Sequence, residues 1–148
     1  MGELKPVMLR LTLYGGFRLA GEDGSEIRLK SKKARALLAY LALPPGKSRS
    51  REEVMALLWS DRGEAQARAS LRQVLSGLRK ELGEGGEALG ITGEAVSLDP
   101  AHVTVEDRAA GDELLAGFHL HDAAFEDWLR DERLRGEGPR KAWRSLPP

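Results

Sequence analysis

An α+β fold of the winged helix-turn-helix type is predicted, on three observations. Apolar and polar residues alternate near the N-terminus, as in half-buried strands. Three segments with helical spacing follow, and a second alternating pair then closes the series as a hairpin wing. The chain has 148 residues, 41% of them hydrophobic, enough for one domain of ordinary size with an appendage. The expected division is residues 1–100 for the winged helix and 101–148 for a short helical and polar tail.

Leu9, Leu11 and Leu13 alternate with Arg10, Thr12 and Tyr14, the two-residue period of a strand with one buried face. Gly15-Gly16 supplies a turn, Phe17 and Leu19 continue the alternation, Glu22-Asp23-Gly24 turns again, and Ile27 and Leu29 make a third strand. A small N-terminal antiparallel sheet is the expectation.

Ser31 is a predicted N-cap, and Ala34, Leu37, Leu38 and Leu41 put a first helix over about 32–43, stopped by Pro44-Pro45-Gly46. Ser50 and Glu53 have the spacing of a capping box, so a second helix starts there, buries Val54, Leu57 and Leu58, and ends near Trp59. Ser60-Asp61-Arg62-Gly63 connects it to a third helix over 64–82, closed by Gly83 in a left-handed cap. Leu89 and Ile91, then Val96 and Leu98, flank a Thr92–Ala95 turn and form the wing. Beyond Pro100, Phe125, Trp128 and Leu129 mark a short helical face in a tail expected to be weakly ordered.

The third helix carries the functional signal. Ala67, Leu71, Val74, Leu75, Leu78 and Leu82 fall on one face, while Arg68, Arg72, Gln73, Ser76, Arg79 and Lys80 fall across the other. Formal net charge is zero, yet residues 26–82 carry 13 basic and 6 acidic groups against 7 and 14 in residues 83–148. The basic middle can supply the counterion-releasing part of DNA affinity, and 16 Arg against 7 Lys suits forked contact with phosphate or guanine. In the major groove Arg72 or Arg79 can fork onto guanine, Gln73 onto adenine, and Ser76 can bond either. Lys80 and Lys47 are better placed for phosphate. The wing turn lacks the Arg or Lys that enters a minor groove, so backbone contact is expected of it.

Other chemistries lack a site. Gly46-Lys47-Ser48 resembles the end of a phosphate-binding loop, but Leu41 stands where the signature needs glycine and the segment follows a helix. His119, His121 and Asp122 do not have the spacing of a helical zinc site and read as a surface loop. No glycine-flanked serine elbow or paired acid and base is evident, so no enzyme, catalytic residue, metal or cofactor is expected. Zero cysteines exclude disulfides, and the absence of a leader or a long apolar run points to a soluble cytoplasmic protein with no membrane partner. The rival reading is a protein-interaction module that regulates full-length relatives, its acidic tail docking on the basic helix of its own or another chain.

Four blocks carry a family resemblance: Leu-Arg-Leu-Thr-Leu-Tyr-Gly-Gly-Phe-Arg-Leu, Lys-Ala-Arg-Ala-Leu-Leu-Ala-Tyr-Leu-Ala-Leu, Ser-Arg-Glu-Glu-Val-Met-Ala-Leu-Leu-Trp, and Ala-Arg-Ala-Ser-Leu-Arg-Gln-Val-Leu-Ser-Gly-Leu-Arg-Lys-Glu-Leu. Together, over about residues 8–99, they resemble the SARP family of bacterial transcriptional activators. The resemblance implies an OmpR-type winged helix in which residues near Arg68, Arg72, Gln73, Ser76, Arg79 and Lys80 read double-stranded promoter DNA, often as protomers on direct repeats. It also implies that the loop around Trp59, Ser60, Asp61 and Arg62 faces RNA polymerase, and that such a protein activates a biosynthetic gene cluster. Residues 114–133 resemble the opening of the family's helical activation domain, of which 101–148 would be a truncated remnant.

Overall fold

The computed structural model describes residues 8–43, 48–106 and 112–136. In chain order its elements are β1 (Leu9–Thr12), β2 (Arg18–Ala20), α1 (Lys32–Ala42), β3 (Ser48–Ser50), α2 (Arg51–Leu58) and α3 (Glu64–Leu82). A 3-10 segment (Gly83–Ala88), β4 (Leu89–Ile91), β5 (Ala95–Leu98), β6 (Val103–Val105) and α4 (Ala123–Gly136) complete it.

Alternation in the sequence becomes a one-sided sheet. β1 and β2 pair antiparallel with Leu11 opposite Leu19, so Leu9, Leu11 and Leu19 are buried while Arg10 and Arg18 face solvent. The third strand expected at Ile27–Leu29 does not form: that stretch makes an isolated Ala20–Glu26 bridge and one bond from the Ile27 N–H to the Leu19 carbonyl, 2.8 Å. Leu29 is nonetheless buried, so its alternation reflects packing and not pairing. The third strand is β6, parallel to β1 with Leu9 opposite Val103, and it comes from beyond Pro100.

The helices begin where their caps dictate. Ser31 accepts the Ala34 N–H at 3.1 Å, and Ser50 and Glu53 close a reciprocal capping box at the start of α2. Every residue from Ala36 to Ala42 of α1 is buried, with alanines at Ala36, Ala39 and Ala42 giving room for neighbours on several sides. Val54 and Leu58 of α2 and Leu71 and Leu78 of α3 meet this helix in one core. Gly83 ends α3 at φ 57°, its N–H reaching the Arg79 and Lys80 carbonyls, a conformation that glycine adopts without a Cβ clash. Gly85 lies so close to β1 that a Cβ would sit 2.9 Å from Leu9 Cδ2. The wing hairpin β4–β5 gains a third strand, β3, giving the order β3-β5-β4.

The segment after β6 departs from the weakly ordered tail expected of it. Leu115 donates its N–H to the Leu13 carbonyl at 2.7 Å, and Gly15 donates to the Glu113 carbonyl at 2.8 Å, so this stretch continues the N-terminal sheet's hydrogen bonding. Phe125 and Leu129 of α4 are wholly buried, and Trp128 meets Tyr40 of α1 edge-on at 5.2 Å. Arg133 donates to the Leu114 and Leu115 carbonyls at 2.9 and 3.0 Å. Burial of Phe125 and Leu129 supplies the apolar driving force that composition concealed. The polar stretch from 137 onward lies outside the described residues, as does Lys47. No helix among the described residues is long and apolar enough to cross a membrane.

Candidate nucleic-acid interface

α3 spans the predicted residues and buries the predicted stripe: Ala67, Leu71, Leu75, Leu78 and Leu82 are buried and Val74 is half-buried. Arg68, Arg72, Gln73, Ser76, Arg79 and Lys80 are all exposed. Gly63 precedes the helix without a side-chain cap, and Glu64 places a carboxylate against the positive end of its dipole. Arg79 and Lys80 occupy the last turn, where the dipole favours cations.

The cations differ in what holds them. Arg68 pairs with Glu64 one turn earlier at 2.7 Å, both side chains being more than half exposed. Arg79 instead donates from Nη2 to the Leu89 carbonyl at 3.0 Å, which ties the helix to β4. Arg68 and Arg72 line a cleft of about 460 Å³ together with Arg51, across from Gly93 and Glu94 of the wing turn. Arg51 was not singled out from the sequence, although its place directly after the Ser50 cap orients it. Its backbone N–H reaches the Glu94 carbonyl at 2.9 Å and its Nε the Thr92 carbonyl at 2.8 Å. Thr92 Oγ1 accepts the Glu94 and Ala95 N–H groups, so the turn is fixed internally as well. The wing tip presents Glu94 and no cation, as the sequence indicated.

The α2–α3 connection is divided between core and surface. Trp59 is only 4% exposed and receives the Lys33 ammonium over its ring at 4.8 Å, so its ring is not available at the surface. Lys33 also donates to the Leu58 carbonyl at the C-terminal end of α2. Burial lowers the Lys33 pKa, against the raising influence of Asp122 and Asp61. Ser60 donates its N–H and hydroxyl to Asp122, at 2.9 and 2.7 Å. Only Asp61 and Arg62 of the predicted loop are exposed with no side-chain tie of that kind to the α4 segment.

His119 and His121 are exposed, whereas Asp122 is buried and caps α4 by accepting the Ala124 and Phe125 N–H groups at 3.0 and 3.2 Å. Burial raises its pKa, but the Ser60 and Phe125 hydrogen bonds and the Lys33 charge outweigh that and hold the carboxyl below its ordinary range. Among the described residues no group of three or more His, Cys, Asp or Glu side chains is arranged to hold a metal. The described acidic segment packs on α2 and, through Trp128, on α1, while Arg130 and Arg135 of α4 pair with Asp127 and Glu132 of the same helix. It does not cover the polar face of α3.

Residues 24–92 match the family described as transcriptional regulatory protein, C terminal. The chain is 34% identical over 116 residues to the regulatory protein AfsR of Streptomyces coelicolor, an alignment covering 70% of this chain and 12% of AfsR. Its fold is similar to a Mycobacterium tuberculosis EmbR structure solved with a low-affinity phosphopeptide, with a TM-score of 0.54 and 27% identity over 63% of this chain and 25% of that one. The chain thus spans a small part of the length of either relative.

Proposed function

Because the chain belongs to the SARP family of transcriptional regulators, with an OmpR-type DNA-binding winged helix, we propose that α3 reads promoter DNA sequence-specifically in the major groove. The observation that carries this reading is the division of α3 into a buried leucine stripe and a face exposing Arg68, Arg72, Gln73, Ser76 and Lys80 beside the wing. Arg68, Arg72 and Gln73 serve base edges, Ser76 adapts to either, and Lys80 meets phosphate. Arg79 contributes by holding the helix to β4, and its other N–H groups serve backbone phosphate.

The cleft between α3, the start of α2 and the wing turn is lined by Arg51, Arg68 and Arg72, cations that suit a phosphate strand running beside α3. Glu94 at its rim disfavours close phosphate approach, which directs sequence reading to α3.

By the same family likeness the protein activates a biosynthetic gene cluster in the bacterial cytoplasm, binds direct repeats as more than one protomer, and offers Asp61 and Arg62 to RNA polymerase. β6 belongs to the N-terminal sheet, and the segment beyond it, which resembles a helical activation domain over residues 114–133, serves as the start of that domain. Selection of bound duplexes from a random pool tests the reading. Recovery of one motif with a repeat supports it, and recovery of no motif from a folded protein refutes it.

A further inference from the structure

A well-bonded polar node, built around Asp122, lies outside α3. Asp122 is 5% exposed. Its Oδ1 accepts the Ala124 and Phe125 N–H groups, the duty of an ordinary N-cap. That duty requires neither burial nor a second oxygen. Yet Oδ1 also accepts the Ser60 hydroxyl at 2.7 Å, and Oδ2 accepts the Ser60 N–H at 2.9 Å, from a residue 62 positions earlier in the chain. A buried carboxylate persists when several donors replace its water.

Ser60 sits at a decisive place. The chain leaves α2 at buried Trp59, is pinned at Ser60, and starts α3 four residues later at Glu64, with the Gly63 carbonyl already accepting the Ala67 N–H at 2.9 Å. So short a connection passes any displacement of Ser60 into the first turns of α3, which carry Arg68 and Arg72. On the other side, α4 is anchored by buried Phe125 and Leu129 and by the Arg133 bonds to two carbonyls.

We propose that Asp122 is a positioning residue for α3: by holding Ser60 while capping α4, it makes the aim of the DNA-reading helix depend on docking of the α4 segment. The proposal rests on the reading of α3 given above.

Asp122→Asn in the full 148-residue chain separates the two duties. Asparagine caps helices as well as aspartate does, so its oxygen keeps α4 in place, but its amide presents a donor to the Ser60 N–H. The expected result is retained hydrogen-exchange protection in α4, faster exchange from Ser60 to Ala67, and a specific affinity for the selected duplex lowered about tenfold. Non-specific affinity should be unchanged or raised, since the substitution removes a negative charge. A folded variant whose specific affinity is unchanged or raised overturns the proposal. Should that variant fail to fold, Ser60→Ala, which removes only the hydroxyl bond, is expected to lower specific affinity in the same sense, and no loss overturns the proposal. Arg72→Ala serves as the control in the same assay. If it too leaves sequence preference intact, the reading of α3 falls and this inference with it, whereas dependence on Arg72 without dependence on Asp122 or Ser60 removes this inference alone.

Discussion

Arg79 donates to the carbonyl of Leu89 at 3.0 Å and so fastens the last turn of α3 to the first strand of the wing. Two arginines seven positions apart on one helix therefore do different work, since Arg72 lines the open cleft instead. Arg79→Ala should cost about 1 kcal/mol of folding stability, the net value of one such hydrogen bond, and weaken binding to all duplexes. Arg72→Ala should leave stability within about 0.5 kcal/mol but remove about 1–3 kcal/mol of discrimination at one base pair. Denaturant titration combined with binding to single-base variants separates the two. Equal behaviour of the two variants would refute the assignment.

The Glu64–Arg68 pair is exposed on both sides, which limits its worth to the fold. Glu64→Gln should change stability by less than about 0.5 kcal/mol, part of it through the lost helix-dipole contact. Affinity for DNA should rise at low salt because Arg68 is released and a negative charge is removed. A fall in affinity at every salt concentration would show that the pair instead holds Arg68 in its productive orientation.

Leu71 and Leu78 are at most 1% exposed, between α3 and the other helices. Truncation of either to alanine should destabilise the protein by about 2–5 kcal/mol, the cost of lost transfer energy plus a cavity. Thermal or denaturant unfolding reads this, and a loss under about 1 kcal/mol would place the helix in a different rotation.

How much of this was legible in the sequence follows the range of the interactions involved. The extent of α3 and its two faces came from a 19-residue periodic run, and both Ser31 and Ser50 announced their helices through side-chain caps that are purely local. β3 and β6 escaped notice because three residues carry no usable period, and each is defined by a partner far away in the chain: Arg49 opposite Val96, and Leu9 opposite Val103. Asp122 read as a loop carboxylate because its main partner, Ser60, lies 62 residues away. A local signal was present, since Asp122 directly precedes the helical face of Phe125, Trp128 and Leu129 and so has the placement of an N-cap. Likewise nothing in the spacing of Arg79 distinguished it from Arg72, because Leu89 meets it only after the chain has reversed.

The lowered pKa of Asp122 also sets a pH dependence. Its folded value lies below the ordinary 3.8, so the stability it contributes is present above that value and is lost as pH falls through the folded one. The groups that act on it are Ser60, Phe125 and Lys33, of which only Lys33 is titratable, a base whose own pKa burial lowers. The stability difference between the protein and Asp122→Asn should therefore be constant from neutral pH to about pH 5 and shrink below that. A difference that persists undiminished at the lowest pH where both remain folded would contradict the ionised, hydrogen-bonded carboxylate described here.

The decisive measurement is the binding of the Arg68→Ala/Arg72→Ala double variant to the selected duplex and to unrelated DNA of equal length at physiological salt. Sequence reading by α3 predicts that the variant remains folded and keeps weak binding to both duplexes but loses its preference between them. A folded double variant that still prefers the selected duplex by the original factor would contradict it.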